Sequence, residues 1–128
     1  MKDLLKFRPV SKDRIKEIEF FQFRHAGYEH VYRSLYGSTP RHGEFWESSY
    51  GAIRCIIFLL HRCQETTFEE DDYWQAVGHV VFGKSHLSTV MYDSRTKKEA
   101  FEEMKYEVWR DAVISIQSLV DEIKEYFE

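Results

Sequence analysis

Hydrophobic residues are densest over residues 50–63, where the sequence reads YGAIRCIIFLLHRC. Within this stretch residues 55–60 are all apolar, and wrapped on a helix they would be apolar on nearly all sides. A helix of that kind belongs in the middle of a domain. A membrane span needs roughly 20 apolar residues, more than this stretch offers. We therefore interpret it as the central helix of a domain that does not enter a membrane.

The flanking pattern predicts further helices. Apolar residues recur at close to helical spacing from a plausible N-cap at Ser11 to Gly37, which predicts a first helix. The central stretch would belong to a second helix that begins near Glu44 and ends near Glu65. A third helix would cover residues 68–82, opened by a capping-box pattern. Most of the first two-thirds of the chain is thus expected to be helical.

The C-terminal third contains one extended segment and one long helix. Residues 87–92 are rich in β-favouring side chains and predict a short strand or crossing segment. The pattern Thr96-Lys-Lys-Glu99 is a capping box, and it opens a last helix that we extend to Tyr126. Its apolar positions alternate by four and three residues, as in a coiled coil. This seam consists of Trp109, Val113, Ile116, Val120, Ile123 and Phe127.

Four helices with short connections predict an all-α fold resembling a four-helix bundle. With 128 residues and 15.4 kDa, the chain has the size of one domain, and residues 1–10 would form an N-terminal arm. The hydrophobic share of 43% and the charged share of 31% fit a soluble globular protein. The net charge of −4 and the lack of a basic cluster argue against a nucleic-acid partner.

The cysteines and the first residues bear on location. Cys55 and Cys63 would lie about 12 Å apart along one helix, whereas a disulfide needs Cα atoms within about 7 Å. We therefore expect two buried free thiols, as in the reducing cytosol. The opening residues MKDLLKFRPV contain no long apolar segment, so we expect no secretion signal and a cytoplasmic protein.

Four carboxylates form the first candidate site. Glu44 and Glu47 are spaced by one helical turn, as are Glu69 and Asp72, and such oxygen ligands suit Mg²⁺. The pattern E-x-x-E followed by E-x-x-D resembles the all-α nucleotide pyrophosphohydrolases of the MazG type. That resemblance implies Mg²⁺-dependent hydrolysis of nucleoside triphosphates; otherwise we expect no cofactor. Acids in a first helical turn also complement the helix dipole, so a purely structural role stays open.

Arg54 and His61 form the second candidate site. They are seven positions apart and would share one face of the central helix. The pattern Arg-x6-His is similar to the pair used by HEPN-type ribonucleases, which implies cleavage of a phosphodiester. The structural alternative is that both side chains lie at the solvent edge of a buried helix and pair with acids at helical spacing.

The third interpretation requires no catalysis. Aromatic residues make up 16% of the chain, more than a small core requires, so some rings are expected at the surface, where they favour partner contacts. The predicted interface residues are Tyr32, Tyr36, Phe45 and Trp46 near the first loop, and Trp109 on the last helix. The function we favour from sequence is binding of another protein, or of a second copy, through a helical face.

Overall fold

The computed structural model describes residues 3–10, 43–62 and 73–128. Over these residues the chain forms a five-stranded antiparallel sheet and one long helix. Each strand pairs with the next strand in the order β1-β2-β3-β4-β5. The elements are β1 (Arg8–Pro9), β2 (Gly43–Tyr50), β3 (Ile53–Arg62), β4 (Tyr73–Phe82), β5 (Ser85–Ser94) and α1 (Lys97–Phe127).

The predicted all-α four-helix bundle is wrong. The stretch interpreted as a central helix is the central strand β3, and residues 73–82 of the predicted third helix are β4. A short apolar run is compatible either with a buried helix or with a strand covered on both faces, and periodicity cannot separate the two. In β3 residues 55–59 expose none of their surface, so they are apolar on every side because the strand is buried on both faces.

Two turns that begin with glycine, one in the β2–β3 hairpin and one in the β4–β5 hairpin, lie at the same end of the sheet. Gly51 and Gly83 each follow a strand directly and have φ values of 59° and 61°. Each begins a two-residue turn, between β2 and β3 and between β4 and β5, with the positive φ at the first turn position alone. That is the type II′ pattern, which favours glycine there. The amide of Gly83 donates to the carbonyl of Ala52 at 2.9 Å, which ties the two turns together.

Helix α1 packs on one face of the sheet. Its buried residues lie one turn apart, at Ala100, Met104, Val108 and Ala112. They contact Cys55, Ile57 and Leu59 of β3 and Ala76 and Val80 of β4. Gly78 allows this close approach, because a Cβ there would lie 2.7 Å from Met104 Sδ and 2.9 Å from Val108 Cβ.

The opposite face of the sheet carries a second apolar cluster. Phe45 of β2 stacks on Phe58 of β3 with ring centroids 4.2 Å apart. Ile56, Leu60, Val77 and Val81 complete the buried set, and Val10 packs against it. The central strands are therefore buried on both sides, as a continuous apolar run in a strand requires.

Two predictions for the C-terminal third are confirmed. Residues 87–92 are extended, within β5. Thr96 is the N-cap of α1, and its hydroxyl accepts a hydrogen bond from the amide of Glu99 at 3.2 Å. The predicted first helix and the capping box at residues 67–70 lie outside the described residues. In the part of the chain that the structure describes, no helix is long and apolar enough to cross a membrane.

Candidate functional site

Helix α1 extends beyond the sheet on which it packs. Asp111 accepts a hydrogen bond from the Ser88 hydroxyl, and Ser88 lies about 10 Å from the end of β5 at Ser85, at 3.3 Å per residue. Beyond Asp111 the helix continues to Phe127, a further length of about 24 Å at 1.5 Å per residue. Roughly the last nine residues of α1 therefore project past the hairpin turns.

The C-terminal half of α1 exposes large apolar side chains. Tyr126 is 84% exposed and Phe127 is 80% exposed. Val113, Val120 and Ile123 are exposed as well. These five residues fall within an arc of about 140° on a helical projection at 3.6 residues per turn. We call them the apolar stripe.

Charge is distributed unevenly along this half of the helix. Residues 112–120, AVISIQSLV, contain no charged side chain although several of them are exposed. Residues 121–128 carry four acids and one lysine, all outside the arc of the apolar stripe. A solvent-facing helix surface normally carries charges, so an uncharged, exposed run is typical of a surface that another protein covers.

The predicted seam of the last helix contains most of the apolar stripe. Val113, Val120, Ile123 and Phe127 belong to both. Trp109, a predicted interface residue, is half-buried and packs against the core cluster under α1. Sequence periodicity therefore located this surface, although it could not separate the seam positions that the sheet covers from those that it leaves exposed.

Of the other predicted interface residues, the two that the structure describes do not form an exposed patch with the stripe. Phe45 is buried in the core and stacks on Phe58. Trp46 is half-buried on the helix-covered face, with its ring 4.9 Å from that of Phe101 and its Nε1 donating to Glu44 at 3.3 Å. Tyr32 and Tyr36 lie outside the described residues.

The predicted metal ligands that are described do not share a face. Glu44 and Glu47 are three positions apart in β2, and side chains at odd separations in a strand point to opposite faces. Glu44 forms an ion pair with Lys97, whose ammonium also lies 5.6 Å from the centre of the Trp74 ring. This pair ties the first turn of α1 to β2 and β4. Glu69 and Asp72 lie outside the described residues.

Among the described residues, no group of three or more histidine, cysteine, aspartate or glutamate side chains could hold a metal ion. The helical spacing behind the Mg²⁺ hypothesis is absent at Glu44 and Glu47, because these residues are in a strand. Mg²⁺ binding by the four acids stays a prediction without support from this geometry.

The predicted catalytic pair also lies on a strand. Arg54 and His61 both belong to β3, so the helical face that they were expected to share is absent. Seven positions along a strand span about 23 Å, whereas one helical face would have placed them about 10 Å apart. Arg54 is opposite Val81 in the ladder and His61 is opposite Trp74. The described geometry does not bring the two residues to one substrate.

A polar cluster that sequence reasoning missed joins β4 and β5. His79 is fully buried, and its Nδ1 lies 3.3 Å from His86 Nε2 and 3.2 Å from Thr89 Oγ1. Burial lowers the pKa of His79 to about 3, helped by the positive charge that His86 can carry. His79 is therefore neutral at neutral pH. The cluster depends on the register His79↔Thr89 and Val81↔His86, which no sequence spacing reveals.

A cavity of about 390 Å³ lies where the N-terminal residues meet β2. Its lining contains two basic and two acidic side chains, so it has no charge preference for one class of ligand. The lining residues are Asp3, Lys6, Arg8, Glu47, Ser48 and Ser49. We assign no function to this cavity.

Of the candidate surfaces in the described residues, the apolar stripe combines the largest exposure with the least charge. The periodicity of the sequence predicted most of its residues as a seam, and the structure shows that they are exposed. Comparison with protein-family models, with curated proteins and with solved structures found no match to this chain.

Proposed function

We propose that the protein acts by binding another protein, or a second copy of itself, through the apolar stripe on the C-terminal half of α1. The observation that carries this proposal is the exposure of Val113, Val120, Ile123, Tyr126 and Phe127 next to an uncharged run of nine residues. Burial of an aromatic side chain covers about 150–250 Å², so Tyr126 and Phe127 alone leave on the order of 250–400 Å² in water. The whole largest patch of a typical monomer is about 300–600 Å².

The projection of the helix supports the same proposal. The last nine residues or so lie past the end of the sheet, where β5 offers no surface to cover them. Amphipathic helices bind partners through residues at i, i+3, i+4 and i+7, and Val113, Val120, Ile123 and Phe127 follow that spacing. The acids at residues 121–128 lie on the opposite side of the helix and would stay in solvent in a complex.

The buried thiol supports a cytoplasmic location for this activity. Cys55 is a free cysteine within the core, and burial together with Asp111 raises its pKa to about 12. A thiol held in this way is compatible with a reducing compartment and needs no oxidant. Cys63 lies outside the described residues.

Site-directed photo-crosslinking in living cells tests the proposal. A photoreactive residue at Ile123 lies in the stripe, whereas one at Glu125 lies on the polar side of the same helical turn. We expect protein adducts from position 123 and few from position 125, with each adduct identified by mass spectrometry. Equal labelling at both positions, or none at either, would remove the support for a docking surface.

A stability measurement provides the control for folding. Ile123→Glu should leave the melting temperature of the dilute protein nearly unchanged, because surface substitutions usually change stability by less than about 0.5 kcal/mol. If Ile123→Glu instead lowers the melting temperature strongly in dilute solution, the stripe is part of the protein's own core and the proposal fails.

A further inference from the structure

We infer that the partner of the apolar stripe is a second copy of this chain, docked with its α1 antiparallel to the first. This inference rests on the proposed function and identifies the occupant of its surface. It follows from three properties of α1: its spacing, its charge pattern and the position of the sheet along it.

The seam is self-complementary when two copies run antiparallel. With the two-fold axis beside Ser118, Val113 faces Ile123 of the other copy and Ile116 faces Val120. At each end Phe127 comes next to Trp109, which is half-buried against the core of its own copy. Because every pair occurs twice, the two aliphatic pairs give the interface four apolar layers and no polar one, which is the arrangement that knobs-into-holes packing favours.

The charge pattern favours the same arrangement. In an antiparallel pair the uncharged residues 112–120 of one copy cross the uncharged residues of the other. In a parallel pair the acidic residues 121–128 of both helices would lie at the same end of the dimer, facing solvent on its outer sides, so their like charges repel weakly through solvent. Like charges still approach each other in the antiparallel pair where Arg110 of each copy comes near Lys124 of the other, at the two edges of the seam, and this gives a test of the register.

The position of the sheet along α1 also distinguishes parallel from antiparallel pairing of the two helices. It covers the first half of α1, where Ala100, Met104, Val108 and Ala112 are buried. Parallel helices would place both sheets beside the same half of the pair, whereas antiparallel helices place them at opposite ends. Each projecting end would then lie along the exposed side of the other copy's helix near Val113.

The exposed area approaches the area that a small specific interface buries. Tyr126 and Phe127 leave on the order of 250–400 Å² exposed on each copy, so two copies contribute about 500–800 Å². The aliphatic side chains at Val113, Val120 and Ile123 add to this area. Specific interfaces begin at roughly 1,000 Å² in total, so the pair falls at the lower end of that range.

Single cysteines test the register on the full-length chain. Gln117 is exposed and lies beside the predicted two-fold axis, so Gln117→Cys should be joined to its own copy by a short bismaleimide. Lys124→Cys is the matched control, because the two copies of position 124 would be about 18 Å apart along the helix axis. The unmodified protein, treated in the same way, gives the background from its own cysteines.

We expect cross-linked dimer from Gln117→Cys that is at least tenfold more abundant than from Lys124→Cys, and light scattering that shows a dimer whose mass falls on dilution. Equal cross-linking at both positions would overturn the antiparallel register. A monomer at all concentrations with no cross-linking would overturn the inference. The proposed function would survive that second result if Ile123 still labels a different protein in cells, so the two failures are distinguishable.

Discussion

Both halves of α1 carry apolar side chains at helical spacing, but those of the first half are buried and those of the second half are exposed. In the first half, Met104 and Val108 are completely buried against the sheet. In the second half, Val120 continues the same row of every fourth residue and is exposed, as is Ile123 about one turn further on. The difference lies in the neighbouring element and not in the helix, because the sheet ends before the helix does. An amphipathic pattern therefore predicts that a helix packs against another surface. It does not indicate whether that surface belongs to the same molecule.

The largest difference between the buried and the exposed surfaces should appear in thiol reactivity. Because its pKa is raised from 9.0 to about 12, Cys55 at pH 8 holds roughly a thousandfold less thiolate than an ordinary cysteine. Val113→Cys, at the exposed start of the stripe, should react at the ordinary rate in protein that is dilute enough to be monomeric. Timed alkylation followed by peptide mass spectrometry measures both sites, and comparable rates in the native protein would contradict the burial of β3 beneath α1.

Truncating one side chain in each half should separate their contributions to stability. Met104→Ala removes a fully buried side chain and should cost about 2–5 kcal/mol of unfolding free energy. Ile123→Ala should cost less than about 0.5 kcal/mol in dilute solution, because the side chain is exposed. Urea unfolding at low protein concentration measures both, and similar losses from the two variants would show that the second half is also part of the monomer's core.

Acid should weaken the buried sheet without acting on the stripe, which has no side chain that titrates in that range. The pKa of His79 is lowered to about 3, from 6.5 in an unfolded chain. As the pH falls, His79 therefore becomes protonated in the unfolded state at a higher pH than in the folded state. The stability due to neutral His79 is present above pH 6.5 and is lost as the pH falls toward about 3.

His79→Gln should thus show a shallower loss of stability between pH 6.5 and 4 than the unmodified protein, by an amount on the order of a few kcal/mol. Chemical denaturation at a series of pH values gives both slopes. Identical slopes for the two proteins would show that His79 does not stay neutral in the folded state.

The smallest expected effect concerns the edge of the seam. In the antiparallel dimer Arg110 of one copy approaches Lys124 of the other, so Lys124→Glu should turn a repulsion into an attraction. Exposed pairs contribute about 0.2–1 kcal/mol each and this pair occurs twice in the dimer, so the dissociation constant should fall by roughly 2- to 30-fold. Sedimentation equilibrium in low salt measures this change, and weaker dimerisation by Lys124→Glu would contradict the register.

Sequence reasoning was accurate where a structural signal is local. The N-cap at Thr96, the long last helix and the seam through Val113 and Val120 were predicted from spacing and capping chemistry, and the structure has them. The extended segment over residues 87–92 was predicted from β-favouring side chains and is part of β5. These features depend on interactions between residues within a few positions of each other.

The candidate sites at Glu44, Glu47, Arg54 and His61 depended on a helix that is absent. Residues spaced by three or seven positions share one face of a helix, and a strand does not provide that shared face. The missed signals were Gly51-Ala52 and Gly83-Lys84, each of which directly follows a strand and forms a two-residue turn. Taken as hairpin turns, they would have predicted β2–β3 and β4–β5.

The sequence by itself determined that residues 55–60 are buried, that Thr96 starts a helix and that this helix is apolar along one side. Only the tertiary structure decided that residues 55–60 form a strand, because an apolar run has no periodicity to reveal whether a sheet or other helices surround it. Only the tertiary structure placed His79 beside His86 and Thr89, since strand register joins them. The tertiary structure also decided where along α1 the sheet ends. Because α1 is longer than β5, the end of the sheet determines how much of the apolar stripe stays exposed for a partner.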